Sequence, residues 1–204
     1  MYKKTMSSIP VLLSFLILFA AQVDQRAPLE SYSTVSGKPL SSYHYEARNP
    51  RRDYQHLYRF IKKEYPHIPD SDVKAISENL VKYGNKHQLD PQLIAALISK
   101  ESSFNKRAVS STGAKGLGQI KDFNYKSLKI KDPFNIKQNI RGTSQYLKSL
   151  MKQWRKENNS AKLALASYYK GPNAVQAMKG KLDDDSRSYV NGVLEQYKKI
   201  RQSR

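Results

Sequence analysis
Glu101 is the residue whose surroundings point most directly to chemistry. It closes an apolar stretch containing Leu93, Ile94, Ala95, Ala96, Leu97 and Ile98, and Ser102, Ser103 and Phe104 follow it. A carboxyl at the C-terminal end of a largely apolar helix meets two effects that disfavour its charge: loss of water and the negative end of the helix dipole. Both raise its pKa, so it can stay protonated near neutral pH and act as a general acid. A glutamate at a helix end is more often a solvated surface group, so this feature alone assigns no reaction. Other groupings carry less. His44, His56, His67 and His87 all precede Glu101 and lack metal-ligand spacing. Asp183, Asp184 and Asp185 lack the glycine and closing glutamate of a calcium loop and read as a solvated loop. Gly113, Gly116 and Gly118 follow no strand and precede no Lys-Ser/Thr pair, so they are not a phosphate loop. With no cysteine in the chain, thiol nucleophiles, disulfides, zinc–cysteine sites and a lipid-modified cysteine are excluded. No metal and no cofactor is expected.

The helix carrying Glu101 has a marked start. Asp90 fits an N-cap and Pro91 the first helical position, and the apolar residues around much of 92–101 predict burial. Upstream, Asp70 or Ser71 is placed to cap a helix to about residue 87, with Val73, Ile76, Leu80 and Tyr83 at helical spacing. Downstream comes a small-residue loop, 102–118. An amphipathic helix should then run from 136 to about 154, with Ile140, Tyr146, Leu147, Leu150 and Trp154 inward. Ser160 can cap another helix over 161–169, which Gly171 and Pro172 end. Residues 173–178 restart a turn, and a last helix spans about 187–201. No strand-like alternation of any length separates these segments, so the fold class is all-α, with room for a small irregular hairpin. Ahead of this domain, residues 22–50 lack sustained periodicity. Residues 51–65 align Tyr54, Leu57, Tyr58 and Ile61 along one side of a short helix before Pro66 and Pro69 interrupt it. The expected division is therefore a tether over 23–69 and a folded domain over 70–204.

Four ordered segments carry a resemblance. The first is residues 89–110, containing Glu101-Ser102. The second is Gly113-Ala114-Lys115-Gly116-Leu117-Gly118-Gln119-Ile120. A third block combines Asp132-Pro133-Phe134-Asn135-Ile136 with Ile140-Arg141-Gly142-Thr143 and Tyr146-Leu147. The fourth is Ala164-Leu165-Ala166-Ser167-Tyr168-Tyr169-Lys170-Gly171-Pro172-Asn173-Ala174-Val175. Together they resemble the soluble lytic transglycosylase family, and Ser188-Tyr189-Val190 looks like its closing helix. One such motif would be weak; four in order are specific. The resemblance covers about residues 70–200 and implies a lysozyme-like helical domain with Glu101 as sole acid and base. It further implies Ser110 in the loop that hydrogen-bonds the glutamate or substrate, and Gln119 lining the saccharide cleft. Tyr168 is implied beside Glu101, positioning it and stabilising a cationic transition state. Two positions depart from the pattern. Gly118 stands where the family has Met, which removes a side chain from the cleft wall. Tyr169 stands where it has Asn, which removes an amide able to contact substrate. Both bear on substrate preference more than on the chemistry. A register with Tyr169 as the functional tyrosine breaks the spacing to Gly171 and Pro172.

A single carboxyl also shapes the expected reaction. Glycosidases usually use two, and the nearest others in sequence, Asp122 and Asp132, look like loop or cap residues. One suffices if the nucleophile belongs to the substrate. The resemblance implies that Glu101 protonates the oxygen between N-acetylmuramic acid and N-acetylglucosamine in peptidoglycan, then takes a proton from the muramic acid C6 hydroxyl as it closes on C1. The effective molarity of an intramolecular hydroxyl favours such a 1,6-anhydro product. Two alternatives stay open: a muramidase of the same fold, in which water attacks, and a catalytically weakened peptidoglycan-binding component of an envelope machine.

The remaining signals concern place and partners. Lys3 and Lys4 precede an apolar run over 9–21 that ends in Phe19, Ala20, Ala21 and Gln22, the layout of a signal peptide over residues 1–22. The run is short beside the about 20 apolar residues of a bilayer span, so membrane attachment requires that it stay uncleaved. The expected location is the periplasm or cell envelope. Lys and Arg number 36 against 17 Asp and Glu, a net charge of +19. Such a charge draws the protein to an acidic polymer; export favours the wall and disfavours nucleic acid. Residues 23–69 are the candidate contact for an envelope protein.

Overall fold
The computed structural model of the protein describes residues 49–203. The expected export signal over 1–22 and the part of the expected tether before residue 49 lie outside the described residues. Eight α-helices follow, with no strand among the described residues: α1 (Pro50–Glu64), α2 (Asp70–His87), α3 (Pro91–Ser102), α4 (Tyr125–Leu128), α5 (Ile136–Gln153), α6 (Ser160–Lys170), α7 (Pro172–Ala177) and α8 (Asp184–Gln202). The all-α expectation holds. Where room was left for a small irregular hairpin, the loop after α3 makes two isolated antiparallel bridges, Val109 with Lys115 and Lys115 with Ile120.

The expected start of the folded part at residue 70 is corrected. Asn49 caps α1 through its side chain, which accepts from the backbone N–H groups of Arg51 and Arg52, and Pro50 takes the first position. Leu57, Phe60 and Ile61 fall at helical spacing and are buried in the main core. Pro66 and Pro69 therefore form a corner between two packed helices rather than the end of a tether. Across that corner, Tyr58 donates its hydroxyl to Asp70 Oδ1 at 2.6 Å, and Lys62 and Lys74 pair with the same carboxylate. These donors hold the Asp70 carboxyl well below the usual range. Asp70 lies inside the first turn, and Pro69 occupies the N-cap position without a side-chain bond.

The centre of the molecule is α3. Asp90 caps it, accepting from the Gln92 N–H at 2.9 Å, and every residue from Pro91 to Ser99 is buried. Its principal neighbour is α8, while α2 packs on α5 and α5 on α6. The second oxygen of Asp90 accepts from the Tyr197 hydroxyl at 2.6 Å, tying the start of α3 to α8. The last helix begins earlier than expected. Asp183 caps it by accepting from the Ser186 N–H at 3.0 Å, and Asp184 and Asp185 lie in its first turn. The acidic triplet thus complements the positive end of a helix dipole, not a solvated loop. Beside the main core, Ile120, Leu128 and Ile130 form a smaller cluster against which Tyr125, Tyr146 and Tyr168 pack.

Candidate active site
Glu101 lies in the last turn of α3, which Ser103 closes in a left-handed conformation at φ 49°. Burial pushes its carboxyl up to about 7, opposed by a hydrogen bond from Tyr189 and by the charge of Lys100. Tyr189 comes from α8, and its hydroxyl donates to Glu101 Oε1. Only 7% of Tyr189 is exposed, and burial beside a carboxylate holds the phenol well above its ordinary pKa. It is therefore a fixed proton donor to the carboxylate. Sequence reasoning left Tyr189 without a role and put Tyr168 against Glu101 instead. No local spacing could have revealed the contact, because it depends on how α3 meets α8.

Tyr168 takes a different place. Its hydroxyl donates to the Gly118 carbonyl at 2.7 Å and lies near Thr143. Its ring packs on Tyr146 with centroids 5.2 Å apart. Tyr168 stays within electrostatic reach of Glu101, whose charge adds to burial in raising the phenol's pKa. It joins the end of α6 to the glycine loop. Tyr169, the next residue, turns the other way. Its ring stacks on Tyr189, with centroids 4.6 Å apart and planes 14° from parallel, and half of the residue is exposed.

The glycine loop is held mainly by Asn139, a buried α5 residue that sequence reasoning passed over. Its Oδ1 accepts from the Gly118 N–H at 2.8 Å, and its Nδ2 donates to the carbonyls of Lys115 at 3.2 Å and Pro133 at 2.8 Å. The absence of a side chain at Gly118 has a packing reason: a Cβ there would fall 1.9 Å from Thr143 Oγ1. Thr143 fills the space that a larger residue at 118 would need. Gln119, in left-handed conformation at φ 49°, donates through Nε2 to the carbonyls of Ala108 at 3.1 Å and Gly116 at 2.9 Å. Its amide nitrogen thus braces the loop. Ser110 also works within the loop: its Oγ accepts from the Ala114 N–H at 3.0 Å and lies 3.2 Å from Thr112 Oγ1. Of the expected site residues, the fold places Tyr168 near Glu101 and joins Tyr169 to it through Tyr189, while Ser110 and Gln119 shape the loop.

Residues 78–191 match the model of the family described as the transglycosylase SLT domain. The chain belongs to this family. The SLT domain here is 34% identical over 88 residues to a transglycosylase of Enterobacteria phage PRD1, a match covering 43% of this chain and 32% of that protein. It is 38% identical over 86 residues to membrane-bound lytic murein transglycosylase F of Saccharophagus degradans, covering 41% of this chain and 17% of the relative. These matches span under a third of each relative's own length. Among solved structures, an inactive glutamate-to-glutamine variant of lytic transglycosylase Slt from Pseudomonas aeruginosa aligns with a TM-score of 0.55 and 25% identity, over 75% of this chain and 29% of that one. The 70-kDa soluble lytic transglycosylase of Escherichia coli shares the fold at a TM-score of 0.54 and 19% identity, over 77% of this chain and 31% of that one.

Proposed function
We propose that this protein is an exported lytic transglycosylase that cuts peptidoglycan glycan strands with Glu101 as its acid and base. The observation that carries the reading is a desolvated carboxyl, pushed up to about 7 and gripped by Tyr189, within an SLT domain. Glu101 begins protonated and gives its proton to the glycosidic oxygen as the bond to muramic acid C1 breaks. The resulting carboxylate is stabilised by the Tyr189 hydroxyl. It then accepts the proton of the muramic acid C6 hydroxyl while that oxygen bonds to C1. The 1,6-anhydro ring closes, Glu101 regains its proton, and no water is consumed. Near-neutral pKa values suit a group that must both donate and accept. Gln119 and Tyr169 supply contacts to the glycan, and Tyr168 braces the loop beside the acid.

Membrane-bound lytic murein transglycosylase F and the inactive glutamate-to-glutamine Slt variant support both the reaction class and an essential glutamate. No helix among the described residues is long and apolar enough to cross a membrane. The test is digestion of purified peptidoglycan by the full chain and by Glu101→Gln, with mass spectrometry of the released muropeptides. Anhydro-ended products, lost in the variant, support the proposal. Ordinary reducing ends would make the protein a muramidase, and no product at all a binding component.

A further inference from the structure
Tyr169 is one of three large apolar or aromatic side chains left exposed among the described residues, with Val109 and Phe123. It alone of these three has a ring contact with the group that holds Glu101. Its inner face lies against Tyr189, so its remaining exposure belongs to the outer face and edges. Both sequence neighbours are anchored. The hydroxyl of Tyr168 is bonded to the Gly118 carbonyl. Lys170 pairs with Asp183, the residue that caps α8. Just beyond, the Gly171 N–H returns to the Ser167 carbonyl at 2.9 Å and closes the helix. The ring of Tyr169 is thus held in place before any ligand arrives, which lowers the ordering cost of binding.

We infer that Tyr169 is a stacking platform that receives the C–H face of a pyranose ring in the glycan, next to the bond that Glu101 protonates. This rests on the glycan-cleaving reading above. Tyr189 supplies the distance: from its ring, one hydroxyl leads to Glu101 and one stacked face leads to Tyr169, so the platform lies about one ring and one hydrogen bond from the acid. The face of an aromatic ring is negative, and sugar C–H groups carry partial positive charge, so an exposed ring face attracts the apolar face of a pyranose. An Asn here would recognise a sugar through its amide. Tyr169 recognises it by area and ring orientation, which tolerates variation in the hydroxyl and acetyl decoration of the strand.

The test is calorimetric binding of chitotetraose, a β-1,4-linked N-acetylglucosamine oligomer, to the full chain and to Tyr169→Phe and Tyr169→Ala. Peptidoglycan digestion is followed in parallel over pH. The platform predicts that Phe binds within about two-fold of the unmodified protein, because it keeps the ring, and that Ala weakens binding about ten-fold. Thermal unfolding of the half-exposed site should change little, which separates lost binding from lost folding. Unchanged affinity in Ala, equal losses in Phe and Ala, or no chitotetraose binding by the unmodified chain would each overturn the platform. So would a displaced pH profile in Ala with affinity unaltered, since Tyr169 would then act only by propping Tyr189. Tyr169-dependent binding by a chain that releases no peptidoglycan product would support the platform while defeating the reaction.

Discussion

The Tyr189 hydroxyl reaches the Glu101 carboxylate from 88 residues further along the chain. Two opposed forces meet at that contact. Burial disfavours the charged carboxylate, and the tyrosine donor favours it. Their balance sets the carboxyl at about 7.

Tyr189→Phe removes the donor and keeps the ring. Burial is then opposed by Lys100 without the hydrogen bond, so the Glu101 pKa should rise above about 7. The alkaline limb of the pH–rate profile should move upward, and kcat should fall by about ten-fold or more, the scale of a lost hydrogen bond to a charged group. A limb that stays in place would remove Tyr189 from the tuning of the acid.

Glu101→Gln should stabilise the fold, and increasingly so with pH. The Glu101 carboxyl goes from an ordinary value of 4.5 to about 7 on folding. Between those values the folded state binds more protons than the unfolded state, so stability falls as pH rises. Gln lacks this dependence. The stability difference should be near zero at pH 4 and level off above pH 7 at about 3 kcal/mol in favour of the variant. Urea unfolding across that range measures it; a difference independent of pH would contradict the raised pKa.

Gly118 and Thr143 should be energetically coupled. A Cβ at 118 collides with Thr143 Oγ1, so Gly118→Ala should cost about 2–3 kcal/mol, as overpacking does. Thr143→Ala removes the colliding hydroxyl. The double variant should be more stable than the sum of the single losses implies, with a coupling of about 1–2 kcal/mol. Additive losses in urea titrations would show that the collision is relieved elsewhere.

Leu57→Ala should cost about 2–5 kcal/mol, because a fully buried side chain leaves a cavity in the shared core. A chain starting at residue 66 loses α1 altogether and should unfold at markedly lower temperature than the full chain. If residues 50–64 were a free tether, neither change would move the melting temperature by more than the small effect of a surface substitution.

Short-range signals account for what could be read without coordinates. Asp90 with Pro91 marks the start of α3, the 3.6-residue spacing of Val73, Ile76 and Leu80 marks the inner face of α2, and Glu101 stands out at the end of an apolar stretch. In each case the informative residues lie within a turn or two of one another, where backbone geometry alone sets which side chains share a face. The stripe of Tyr54, Leu57, Tyr58 and Ile61 was equally local, but a stripe shows only that a surface needs covering, not that it is covered by this domain. The prolines at 66 and 69 reinforced the reading of a break, although a packed corner uses proline in the same way.

The sequence by itself determined the course of the longer helices and the Asp90 cap of α3, and it singled out Glu101 at the end of an apolar stretch, because these depend on neighbours close along the chain. Only the tertiary structure decided which tyrosine holds Glu101, why position 118 bears no side chain, and that Tyr169 stacks on Tyr189. Those relationships join α3 to α8, the glycine loop to α5, and α6 to α8. They arise from the rotation and depth at which helices pack, set by many buried contacts at once.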